Sequence, residues 1–261
     1  MAVKPFLSKL SVDHLDRPQY NRVMKQIALP LYDSDDVTIS DVVLHPGIAS
    51  AVQAVKATLT TQSNQPAPIF MYGPSGSGKT LILKAFLGFL RSLYQSESIF
   101  IPVVNSMKSG NTLESAVSIR KASLGTVLID DVDMVSGPDM KHLWNLWNQL
   151  LTTGTRLVCA STVGPEKIFL DDPHLRSRMI SGLALELIPP DDNVRVLILD
   201  KMASKRGLRL THDVINYLLS RKSRNLRKLE QIVEVLDRVS MEEHRRVTLR
   251  LVKDVEAQEL I

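Results

Sequence analysis

Apolar positions follow two different rhythms along the 261 residues. Five short runs are apolar with little alternation: 69–72, 98–104, 126–129, 156–161 and 184–188. A strand buried on both faces has this pattern, which points to a parallel sheet. Between the runs the apolar residues are spaced as on helices. Ile48, Val52, Val55 and Leu59 mark a helix over 47–61, and a second runs from the end of a glycine-rich loop to about Leu93. A short helix is expected over 112–121. Another spans 138–153, with Leu143, Trp144, Leu146, Trp147, Leu150 and Leu151 along it. Residues 37–43 read as a short strand or extended segment, and 62–68 as a polar loop. Pro189-Pro190 ends the alternation, and 191–261 shows helical segments with no clear strand. The expected fold is α/β. A five-stranded parallel sheet flanked by helices occupies 37–189, a small all-α domain occupies 190–261, and 1–36 form an N-terminal extension.

Composition changes this picture little. Hydrophobic residues make up 44% and charged residues 23%, ordinary values for a globular protein. The net charge is +4, and residues 191–261 hold 15 Lys/Arg against 12 Asp/Glu, so +3 of it lies there. That balance is compatible with acidic partners but lacks the dense basic stripe of a strong nucleic-acid binder. Cys159 is the only cysteine, so no intrachain disulfide can form. The first 25 residues contain no uninterrupted apolar stretch, and no run approaches the roughly 20 apolar residues of a membrane helix. A cytoplasmic location is expected. The six histidines lie far apart and show no metal-ligand spacing.

The candidate chemistry begins after the 69–72 run. Gly73-Pro74-Ser75-Gly76-Ser77-Gly78-Lys79-Thr80 fits the phosphate-loop template, with a strand before it and a helix after it. Glycines allow backbone N–H groups to close around phosphates. Lys79 is suited to neutralise β/γ oxygens, and Thr80 to place a hydroxyl on Mg²⁺. The helix N-terminus adds its own attraction for an anion. ATP or ADP with magnesium is the ligand this predicts. The 126–129 run ends in Asp130-Asp131, which delivers carboxylates to the carboxyl edge of the sheet. Asp130 is expected to hold magnesium, and Asp131 to orient or deprotonate a water. The plainer reading is a solvated acidic turn, because Asp133 follows. Trp144 and Trp147 sit on an apolar helix and read as core or interface residues, and Cys159 reads as inert.

With these residues in place the chain resembles the AAA+ ATPases of the DnaA branch. Leu175-Arg176-Ser177-Arg178 with Gly182-Leu183 resembles the segment carrying an arginine finger. Pro189-Pro190-Asp191 with Arg195 and Leu197 resembles the start of the lid, and 225–230 the sensor 2 helix. The resemblance spans about 26–256. It implies an AAA+ core with an α-helical lid, Arg178 as the finger (Arg176 second) and Arg227 as a phosphate contact from the lid. It implies Thr162 at the sensor 1 position, where the branch often has Asp. His174 stands where DnaA proteins often have Arg.

Within that branch the chain resembles the Hda-type regulators. Gln26-Ile27-Ala28-Leu29-Pro30-Leu31 is similar to their peptide for the DNA polymerase sliding clamp. Gln26 can hydrogen-bond a pocket rim, while Leu29, Pro30 and Leu31 fill apolar pockets in an extended conformation. The short 105–125 gap and the absence of residues beyond Ile261 lead to the expectation of no sequence-specific DNA binding. The resemblance therefore implies the clamp and the DnaA initiator as partners, with promotion of hydrolysis of DnaA-bound ATP, and leaves room for a homo-oligomer. The alternative is a helicase-loader-type ATPase acting on the replicative helicase.

Overall fold

The structure is a computed structural model that describes residues 37–61, 67–93, 97–102, 124–135, 138–168, 177 and 180–261. Five parallel strands form one sheet: β1 Ile69–Tyr72, β2 Glu97–Pro102, β3 Leu124–Asp130, β4 Arg156–Ser161 and β5 Leu183–Glu186. Their order is β2-β3-β4-β1-β5. The first strand thus lies between the last two, with Tyr72 level with Ser161 on one side and Glu186 on the other.

Strand side chains alternate between faces, so the sheet builds two cores. Ile69, Met71, Leu128, Val158 and Ala160 meet helices α1 (Pro46–Thr60) and α2 (Lys79–Leu93) on one face. Phe70, Val127, Ile129, Leu157 and Cys159 meet helix α3 (Pro138–Thr152) on the other, around the buried Trp147. Helix α1 starts where Pro46 takes the first turn, a position that needs no N–H donor, and His45 Nδ1 accepts from Gly47 N at 3.3 Å. The expected strands and helices fall within a residue or two of these bounds. The short helix expected at 112–121 lies outside the described residues.

Two local expectations change. The last strand stops at Glu186 rather than continuing to Ile188, because the Ile188 N–H bonds Gly47 O at 3.0 Å and draws the chain toward α1. Residues 37–43 are extended at their ends but carry a 3-10 turn, Ile39–Asp41. Asp41 Oδ2 holds that turn by accepting from Thr38 N at 2.8 Å.

After Pro190 the chain is helical, with α4 (Asp192–Lys205), α5 (His212–Tyr217, continued by the wider turn Leu218–Lys222), α6 (Leu226–Glu242) and α7 (Leu249–Ala257). Asp191 caps α4 by accepting from Val194 N at 2.8 Å. Asn225 caps α6 by accepting from Arg227 N at 3.0 Å. These helices close a third core around Leu199, Val214, Leu229, Val233, Leu236 and Val252. They form the lid, and α4 fastens it to the 38–41 turn. Lys205 pairs with Asp41 at 2.5 Å, and Lys201 donates to Ser40 O.

Burial pushes the Asp41 pKa upward, but hydrogen bonds from Lys205 and Thr38 outweigh it and hold the carboxyl below its ordinary value of 3.8. A depressed carboxylate pKa contributes stability above the unfolded value, and that stability is lost as pH falls through the folded value. Asp41→Asn is therefore expected to lower the thermal midpoint at pH 7, by a gap that closes as pH falls below 3.8. A gap independent of pH in melting curves would contradict this role for the ion pair.

Candidate functional site

The loop between β1 and α2 owes its shape to its glycines. A Cβ on Gly73 would lie 2.2 Å from Leu187 O, so only glycine lets the loop leave β1 against β5. Gly76 and Gly78 have φ of +83° and +93°, the region L side chains rarely enter. These turns carry the chain into the first turn of α2 at Lys79. Ser161 O accepts from Gly73 N at 3.2 Å and ties the loop to the end of β4.

Lys79 is only 7% exposed and folds back into the loop, donating to Gly73 O at 2.6 Å and Pro74 O at 3.1 Å. Burial lowers its pKa, while Asp130, Asp133 and Asp131 push it back up. The ammonium is thus held close to carboxylates in a partly desolvated setting, where an anion interacts strongly. The Ser77 hydroxyl is also buried and has no partner among the described residues. Such an orphaned polar atom inside a positive-φ cradle fits an incoming phosphate oxygen.

β3 supplies the opposite side. Asp130 is 2% exposed and accepts from Thr80 Oγ1 at 2.6 Å. Burial raises the Asp130 pKa, and the Thr80 hydrogen bond partly offsets this. The two oxygens stand together at the loop's end, a hard-oxygen pair of the kind Mg²⁺ uses alongside phosphate and water. Asp131 turns into the left-handed region, φ 56° and ψ 41°, which Asp tolerates better than most residues. Its N–H donates to Asp130 Oδ1 at 3.0 Å, and the residue lines the cavity.

That cavity, about 390 Å³, lies between the loop, the 37–45 segment and the lid. Ser75 through Thr80, Asp131, Thr162 and Arg227 all line it, so the structure brings these predicted residues together. Arg227 reaches it from the second position of α6. Arg176, Arg178 and the peptide Gln26, Leu29, Pro30 and Leu31 lie outside the described residues. Lys222 instead pairs with Glu256 at 2.7 Å, and Arg224 with Asp192 at 3.2 Å. Cys159 is fully buried, which pushes its thiol pKa well up and leaves it unreactive.

Sequence reasoning missed three parts of the site. The 37–45 segment contributes Val42, His45 and Asp41 to the cavity wall, and α4 contributes Lys201 and Lys205. Asp133, read only as part of an acidic turn, accepts through Oδ2 from Thr162 N at 3.2 Å and from the Thr162 hydroxyl. No group of three or more His, Cys, Asp or Glu residues suited to hold a metal occurs among the described residues. None of their helices is long and apolar enough to cross a membrane.

A parallel sheet with β1 inserted between β4 and β5, a glycine loop after β1, carboxylates at the end of β3 and a helical lid define an AAA+ protein. The chain belongs to the DnaA ATPase branch of that class. Residues 35–186 match the family described as the bacterial DnaA ATPase domain, and 192–255 match the lid domain of Hda.

Among individual relatives, the DnaA replication initiator of Geobacter metallireducens is 30% identical over 217 residues, covering 78% of this chain and 48% of its own length. An uncharacterised protein of Haemophilus influenzae is 26% identical and is covered over 98% of its length. This chain therefore spans about half the length of the DnaA relatives it matches. Domain III of Thermotoga maritima DnaA superposes with a TM-score of 0.70 at 26% identity, over 83% of this chain and 94% of that one. AMPPCP-bound DnaA from Aquifex aeolicus shares the fold, with a TM-score of 0.62 at 24% identity over 85% of this chain and 70% of that one.

Because the Leu187 carbonyl is backbone and cannot step aside, Gly73→Ala is expected to destabilise the protein by more than about 2 kcal/mol and to remove nucleotide affinity. Urea unfolding and calorimetry of the variant check both. A wild-type midpoint with intact binding would show that the contact between Gly73 and Leu187 does not constrain the loop.

Proposed function

We propose that this chain is an adenine-nucleotide-binding regulator of chromosomal replication initiation, of the Hda type, that promotes hydrolysis of DnaA-bound ATP while attached to the sliding clamp. The observation that carries the nucleotide part is the buried Lys79 in its glycine loop beside the Thr80–Asp130 pair. Backbone N–H groups of 75–80 and the Lys79 ammonium bind phosphate oxygens, and Thr80 and Asp130 would hold Mg²⁺. Bound there, the metal would supply charge neutralisation to the phosphates. Asp131 orients water at the cavity wall, and Thr162 contributes a polar contact from the end of β4. Arg227 brings a cation to the cavity from the second position of α6. We read 37–189 as the nucleotide-binding core, 190–261 as the lid and 1–36 as the arm that carries the clamp peptide.

The regulatory part rests on the match of 192–255 to the Hda lid, on the Gln26–Leu31 peptide and on Arg178. Arg178 reaches the nucleotide of a neighbouring subunit or of DnaA and stabilises charge on the transferring phosphoryl group. A helicase loader would use the same loop and carboxylates. Co-purification with the replicative helicase but not with the clamp would favour that alternative.

Lys79→Ala removes the cation and is expected to abolish ATP and ADP binding in calorimetry. Unchanged affinity would overturn the nucleotide assignment. Arg178→Ala is expected to leave nucleotide binding by this chain intact and to cut stimulation of DnaA hydrolysis by on the order of 10³-fold, read as DnaA-bound ATP and ADP in the presence of DNA-loaded clamp. Retained stimulation would reject Arg178 as the finger.

A further inference from the structure

The contact between Thr162 and Asp133 joins the end of β4 to the 3-10 turn Val132–Met134, across 29 residues of sequence. Thr162 also lines the cavity beside the loop. Tyr72 and Ser161 are level in the sheet, so the next residues, Gly73 and Thr162, leave it side by side. Thr162 thus stands where the loop begins, on the wall it shares with Asp131.

The polarity of that contact follows from the groups involved. A carboxylate oxygen only accepts. Asp133 Oδ2 receives the backbone N–H of Thr162 as well as its hydroxyl, so the hydroxyl must be the donor. A threonine hydroxyl has one proton and two lone pairs. With the proton committed to Asp133, the hydroxyl can offer the cavity lone pairs and nothing else. A phosphate oxygen is itself an acceptor and finds no hydrogen bond there. A water molecule, which can donate, does. Asp133 also adds a negative charge near the loop, where it acts on Lys79. Asp133 Oδ1 is buried and has no partner among the described residues, so no competing donor there draws the carboxylate away from Thr162.

We propose that Asp133 fixes the Thr162 hydroxyl as an acceptor toward the cavity, so that the pair discriminates against the terminal phosphate of a nucleoside triphosphate relative to a diphosphate. This rests on the reading of the cavity as a nucleotide site. Asp133 is then a positioning residue that acts through Thr162 and sets nucleotide preference.

The test is calorimetric titration of the full chain with ADP and with AMPPCP, each with excess Mg²⁺. Asp133→Ala frees the hydroxyl to rotate and donate. It is expected to tighten AMPPCP by on the order of tenfold, the worth of one hydrogen bond to a charged group, with ADP unchanged within about twofold. Thr162→Val added to Asp133→Ala is expected to erase the gain. Asp133→Asn keeps an acceptor for Thr162 without the charge and is expected to show no such gain. A loss of a merely structural contact would weaken both ligands or neither.

Equal gains for Asn and Ala would overturn the proposal in favour of simple charge repulsion, as would a gain that survives Thr162→Val. Should Asp133→Ala fail to fold, Asp133→Ser, whose side chain is too short to hold Thr162, carries the same expectation. If the wild-type chain binds neither ligand, the nucleotide reading itself fails. If it binds and the AMPPCP-to-ADP ratio does not move, only the role of the pair fails.

Discussion

A lysine ammonium is carried out of water beyond the tip of β1, and the site is arranged around that constraint. Lys79 is buried, its pKa is lowered by that burial, and it spends its hydrogen bonds on the carbonyls of Gly73 and Pro74. A buried charge is tolerated only with compensation. Here the compensation is loop carbonyls and a row of aspartates at the end of β3 and just beyond it. Each requirement reaches back into the fold. The loop closes this tightly only because Gly73, Gly76 and Gly78 lack Cβ atoms. The aspartates arrive because β3 and β4 run parallel to β1, which brings all carboxyl ends to one edge.

The lid belongs to the same arrangement. Its first helix reaches back to the 38–41 turn through Lys201 and Lys205, and its longest helix brings Arg227 to the cavity. The cavity is therefore walled on three sides by segments distant in sequence. The Asp41–Lys205 pair and the Asn225 cap are the points where that geometry is fixed.

Much of this was legible in the sequence, for physical reasons that differ by element. β1, β3 and β4 are buried on both faces, so their apolar runs are continuous and their limits fall close to those read from the pattern. β5 alternates in exposure as an edge strand, and its end is set by a hydrogen bond to Gly47 that no local pattern records. The glycine loop and Asp130 were legible because their chemistry demands fixed residue types at fixed spacing. Asp133 was not, because its significance lies in a contact with Thr162 29 residues away. The 38–41 turn was hidden for the same reason, being shaped by Asp41 and fastened by two lysines of the lid.

The most direct measurement is diffraction from crystals of the chain grown with ADP and Mg²⁺. The account predicts both phosphates inside the glycine loop, within hydrogen-bonding distance of the backbone N–H groups of 75–80 and of Lys79 Nζ. It also predicts Mg²⁺ held by the Thr80 hydroxyl, with Asp130 next to it or one water away. An ordered nucleotide seated elsewhere, or a loop that stays free of phosphate at saturating ligand, would contradict it.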